Sequence, residues 1–230
     1  MRMIGLIGGM SWESSAEYYR IINQGIRQRG GPTSSARCLL WSFDFSEIQR
    51  LQHIGDWAAL TDRMTDAARK LEVAGADVLL ICTNTMHKVA PEVQAAIGIP
   101  LLHIADPTAQ RIKQAGLQTV ALLGTAFTME QDFYKGRLAD AHGLNVLVPE
   151  EDRATVHRII YDELVAGIIS EASRDAYRLV IARLIARGAQ AVILGCTEIM
   201  LLVKPEDSSV PIFDTTALHA EAAIEFALAE

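Results

Sequence analysis

Two short stretches hold the residues best suited to chemistry, and one is a copy of the other. GADVLLICTNT (Gly75 to Thr85) aligns without a gap on GAQAVILGCTE (Gly188 to Glu198). Thr83 falls on Cys196, an offset of 113 residues (196 − 83), and Cys82 falls on Gly195. Each copy reads as a glycine turn, a buried strand and a polar cluster where the strand stops. Ligands of open α/β sheets bind at such carboxyl ends. Two ends facing one cleft would set Thr83 and Cys196 on opposite sides of a small ligand. A thiol, with a free pKa of about 8.5, becomes a usable base when its surroundings polarise it. A threonine hydroxyl can relay or donate a proton but is a poor base near neutral pH.

Adjacent strand residues point to opposite faces, so only one of Cys82 and Thr83 can look toward such a ligand. The repeat selects Thr83. Cys38 lies inside an apolar strand and reads as a small buried hydrophobe. The six histidines (53, 87, 103, 142, 157 and 219) show no H-x-H or H-E-x-x-H spacing, and no cysteine pair accompanies them, so no metal site is expected. His87 and His103 fall near strand ends and are read as structural. GLIGG (Gly5 to Gly9) is not G-x-G-x-x-G and has no acidic residue placed for a ribose. It reads as a tight strand-to-helix turn, whose amides, with Ser11, could hold a small anion.

The elements that position these residues repeat as well. An apolar strand at Met3 to Ile7 leads into a helix through Tyr18 and Ile26, with Ser14 and Glu17 as a capping box. TVALLGT (Thr119 to Thr125) resembles that opening, and Thr128 with Gln131 repeats the box. A strand is expected over 38–45 and an amphipathic helix over 56–74. Further strands are expected over 99–106 and 145–148, and a last helix over 215–228. Val210-Pro211-Ile212 echoes Ile99-Pro100-Leu101. Strands alternating with helices imply parallel sheets with right-handed crossovers. The expected organisation is therefore two similar α/β lobes, residues 1–98 with 211–230 and residues 99–210.

The totals agree with a globular protein. At 230 residues the chain can bury a sizeable core. A net charge of −7 argues against nucleic acid as a partner. Three cysteines without paired spacing suit reduced thiols, and no apolar run approaches the roughly 20 residues of a membrane span. A cytoplasmic location without membrane contact is expected.

GLIGGMSWES, CTNTMH, GTAFTMEQDFY and GCTE, in this order along essentially the whole chain, together resemble the aspartate/glutamate racemase family. The resemblance implies two flavodoxin-like lobes related by pseudo-two-fold symmetry, with the site between them. It implies an acidic amino-acid substrate, no pyridoxal phosphate or metal, and a homodimer. In that family both seats are cysteines, one removing the α-proton while the other returns a proton to the opposite face. Here the first seat is Thr83, so the pair would be Thr83 and Cys196, with faster reaction from the L enantiomer. Expected substrate contacts are Met10, Ser11, Gln52, Asn84, Thr85, Thr125, Thr197 and Glu198. The family's aspartate-specific members clamp substrate with basic residues, where this chain has Ala166 before Gly167 and Gln52 with Arg50 nearby. Glutamate or a broader range therefore stays open beside aspartate. Having a single cysteine in the paired seats also keeps open a malonate-type decarboxylase, a maleate-type isomerase, or a non-catalytic binder of an acidic amino acid.

Overall fold

The computed structural model describes residues 1–229. In chain order its elements are β1 (Ile4–Gly8), α1 (Trp12–Gly30), β2 (Cys38–Ser42), α2 (Phe45–Ile54), α3 (Trp57–Val73), β3 (Val78–Ile81), α4 (Ala90–Ala95) and β4 (Leu101–Leu102). There follow α5 (Ala105–Gln114), β5 (Thr119–Gly124), α6 (Ala126–Glu130), α7 (Asp132–Gly136), β6 (Asn145–Leu147) and α8 (Arg153–Asp162). The last are α9 (Glu171–Ala186), β7 (Ala191–Gly195), α10 (Ile199–Leu202), β8 (Ile212–Asp214) and α11 (Thr215–Leu228).

The chain divides into two compact units, Met1–Ile104 with His219–Glu230, and Ala105–Leu218. Each holds a four-stranded parallel sheet, in the orders β2-β1-β3-β4 and β6-β5-β7-β8. This is the flavodoxin-like order, in which the chain leaves the first strand to one side for the second and returns to the other side for the third. The fold is α/β with two such lobes. β4 pairs with β3 and β8 with β7, so the crossings come at 104 and 218, later than the limits near 98 and 211 expected from sequence.

Alternation along the strands builds the cores. In the first unit Leu79 and Ile81 face α2 and α3, among Ile48, Leu60 and Met64. Val78, Leu80 and Cys82 face the other way, against Tyr18 and Ile22 of α1 and Ala223 and Ile224 of α11. In the second unit Val192, Leu194 and Cys196 line up toward Val156 and Ile160 of α8 and Tyr177 and Ile181 of α9. The repeated turn is a backbone requirement: Gly75 and Gly188 both have left-handed φ, 97° and 99°, which a side chain would strain.

Both expected capping boxes lie one turn too far along. Ser11 caps α1 by accepting from the Ser14 amide, and Thr125 caps α6 by accepting from the Thr128 amide. The strand expected over 99–106 is only two residues long, because α5 already begins at Ala105.

Candidate active site

In the first unit, β1 and β3 are neighbours at the point where the strand order reverses, the place at which α/β sheets bind ligands. Met10 and Ser11 follow β1, and Thr83, Asn84 and Thr85 follow β3. Met10, Ser11, Asn84 and Thr85 are buried and Thr83 is half-buried. Ser15 ties the first loop down: its hydroxyl donates to the Ser11 carbonyl at 2.9 Å and accepts from the Gly9 amide at 2.8 Å.

Cys82 and Thr83 follow β3 directly and differ in burial. Cys82 is 0% exposed in the α1 and α11 core, where burial alone drives its thiol far above the usual range. It is an inert core thiol. Thr83 lies in the bend just past β3. Gln52 is buried on α2, its amide meeting the Met86 sulfur at 3.3 Å. Arg50 is exposed.

His87 fixes the Thr83 backbone. Its Nε2 accepts from the Ile104 amide at 3.2 Å, which leaves Nδ1 to carry the proton and donate to the Thr83 carbonyl at 2.8 Å. The His103 ring packs edge-on against His87, centroids 4.5 Å apart. His219 lies on the same cluster: Nε2 meets the Leu102 carbonyl at 2.9 Å and Nδ1 the Tyr18 hydroxyl at 2.8 Å. These histidines hold strand ends in place.

In the second unit the neighbours are β5 and β7. Thr125 follows the first, and Cys196, Thr197 and Glu198 follow the second; all four are buried. Gly124 and Gly195 let the two strands close tightly there. A Cβ on Gly195 would stand 2.9 Å from the Leu123 carbonyl oxygen and 2.7 Å from Leu122 Cδ1.

The Cys196 thiol donates to Glu198 Oε2 at 3.0 Å, and the Thr197 hydroxyl donates to the same oxygen at 2.9 Å. Burial pushes the Cys196 thiol well above its ordinary range, and the Glu198 charge and hydrogen bond push it further. The amides of Glu198 and Ile199, at the start of α10, pull the other way. Sequence reasoning missed two aromatic neighbours. Tyr161 and Tyr177 feel the Cys196 charge, and both phenols are pushed up, by burial first and then by the nearby anions. His157, one helical turn before Tyr161, packs on its ring at 4.7 Å and accepts from the Ala126 amide at 3.1 Å. Only the helical spacing of His157 and Tyr161 could have hinted at this. Ala166 is exposed, before Gly167 in a left-handed turn.

Among the described residues, no group of three or more His, Cys, Asp or Glu side chains is arranged to hold a metal ion, and no helix is long and apolar enough to cross a membrane.

Residues 7–223 match the sequence profile described as Asp/Glu/Hydantoin racemase. The chain belongs to that family. The protein is accordingly an enzyme of the racemase class. Among solved structures, a Yersinia pestis protein provisionally named an Asp/Glu racemase is 56% identical, covers 100% of both chains and superposes with a TM-score of 0.93. An aspartate racemase homologue from Pyrococcus horikoshii is 34% identical over 99% of each chain, with a TM-score of 0.85. The broad specificity amino-acid racemase RacX of Bacillus subtilis is 27% identical over 71% of this chain and 70% of its own length.

Proposed function

We propose that this racemase inverts an acidic amino acid, glutamate, aspartate or both, with Cys196 and Thr83 as the opposed pair and without pyridoxal phosphate or metal. The observation that carries the reading is the equivalence of the two seats. Both lie just past the third strand of a 2-1-3-4 sheet, one filled by a thiol and the other by a hydroxyl. Inverting a stereocentre by proton transfer needs an acid and a base on opposite faces, each within hydrogen-bond reach. Cys196 takes the α-proton of the L enantiomer, and Thr83 gives its hydroxyl proton to the other face and is refilled from water. Met10, Ser11, Gln52, Asn84, Thr85, Thr125, Thr197 and Glu198 form the surrounding wall. Their amides and hydroxyls steady the substrate carboxylates and the carbanion. Gln52 offers a side-chain carboxylate hydrogen bonds without charge, which suits either substrate.

The pair is unequal, so exchange is unequal. α-Proton wash-in from deuterated water, followed by proton NMR, is fast from L-glutamate or L-aspartate and slow from the D forms. Equal initial rates from both enantiomers would overturn the Thr83 assignment. Loss of carbon dioxide in place of inversion would overturn racemisation itself. The same reading takes the working protein as a cytoplasmic homodimer, which light scattering and cell fractionation test.

A further inference from the structure

Cys196 and Glu198 bind one another in the second unit, the thiol 3.0 Å from a carboxylate oxygen that also accepts from Thr197. Cys196 is 7% exposed and Glu198 3%. A thiol cannot act as a base until its own proton has gone. Two ionised groups this close, out of water, are strongly disfavoured, as in other pairs of adjacent acids that hold a single proton between them. We propose that Glu198 receives the Cys196 proton, so that the reactive form of the pair is a thiolate beside a neutral carboxylic acid. This rests on the reading of Cys196 as the base. It gives Glu198, so far one of the wall residues, a task directed at the sulfur.

The step balances within the pair. The Sγ–H bond breaks, the Oε2–H bond forms and the electron pair stays on sulfur, with the net charge unchanged. The thiolate then takes the substrate α-proton, leaving the electron pair on the α-carbon. Glu198 afterwards releases its proton to water while Thr83 draws one from water. The surroundings support this state. With Glu198 neutral, the amides of Glu198 and Ile199 still point at the sulfur and favour its anion. Among the described residues, Tyr161 from α8 and Tyr177 from α9 are titratable neighbours of the pair, and burial helps keep both phenols protonated. Glu163 acts on Tyr177, and His157 packs on Tyr161.

The test is Glu198→Gln in the full chain. Glutamine keeps the size and leaves a carbonyl oxygen for Cys196 and Thr197 to donate to. Iodoacetamide labelling of Cys196, read peptide by peptide, is level from roughly pH 6 to 8 in the parent and rises with pH in the variant, where the thiolate forms only by losing its proton to solvent. Exchange from L-glutamate and L-aspartate changes character as well. In the parent, kcat/KM stays level, within about twofold from roughly pH 6 to 8, since the charge of the pair does not change there. In Glu198→Gln it rises about tenfold per pH unit over the same range, since the proton must now leave to solvent. A labelling rate that rises equally with pH in both proteins, or a level profile in the variant, overturns the proposal. Should the variant melt early, the parent decides: a tenfold rise per pH unit through neutrality in the unaltered protein overturns it equally. If neither protein exchanges any acidic amino acid, the substrate reading fails, while the labelling profiles still decide whether the pair shares a proton.

Discussion

Gly195→Ala tests how closely β5 and β7 must approach for Cys196 to be placed. The new methyl group would meet Leu122 Cδ1 at 2.7 Å and the Leu123 carbonyl oxygen at 2.9 Å. The leucine methyl can turn aside, but the carbonyl belongs to the sheet, where Leu123 is in register with Leu194. Restoring an ordinary separation near 3.4–4 Å means moving the strand end by about half an ångström or more. Overpacking of this kind costs about 1–3 kcal/mol. At about 2–4 °C per kcal/mol for a chain of this size, the melting temperature should fall by about 2–12 °C. Cys196 is the next residue, so the shift passes directly to the sulfur. A misplacement of about 1 Å can cost about 100-fold in rate, and half of that should cost about tenfold. Differential scanning fluorimetry and α-proton exchange from L-glutamate read the two effects. A variant that melts within 1 °C of the parent and exchanges within about twofold of its rate would refute the claim that this close contact positions the thiol.

Other outcomes follow from the same geometry. Cys196→Ala should lose about 10²–10⁴-fold in exchange while still folding, checked by NMR and circular dichroism. Thr83→Cys should raise wash-in from the D enantiomer by at least about tenfold and leave the L side within about threefold, since the thiol is the better base. Asp207 is a buried carboxylate bonded to Arg174, Arg178 and the Lys204 amide. Asp207→Ala should cost about 3 kcal/mol in urea melts, by leaving those donors unpaired. Burial alone would raise the Asp207 pKa, but the Lys204 amide, Arg178 and Arg174 outweigh it and hold it below the usual value; at Asp106, Arg137 and His142 do the same. Both carboxylates therefore add stability above the unfolded value near pH 3.9, lost as pH falls through the folded values. Urea midpoints that do not drop between pH 5 and pH 2 would contradict this.

Much of this arrangement could be read before any coordinates, for definite reasons. Apolar runs such as VLLI and AVIL can only be buried strands between helices, and a repeat of eleven aligned positions fixes which residues share a seat. That logic left Cys82 to the core, where it lies. It failed where a local signal competes with its neighbour. Phe43 and Phe45 seem to prolong β2, but Asp44 accepts from the Ser46 amide and starts α2 instead. Ser14 and Thr128 look like caps because each is followed three residues on by Glu or Gln. In the fold they are the third residues of helices capped by Ser11 and Thr125. Tyr161, Tyr177 and the grip of His87 on Thr83 were out of reach, since they depend on how helices pack on a sheet.

The closing helix α11 covers Ile4, Leu6, Val78 and Leu80, strand residues from near the start of the chain and from its first third. During synthesis the second unit, one uninterrupted segment, can finish while one side of the earlier sheet is still bare. Any ribosome stall or truncation between residues 198 and 215 leaves an oily surface without its cover. Such fragments should be sticky and chaperone-bound, even though every residue discussed for catalysis has already been made.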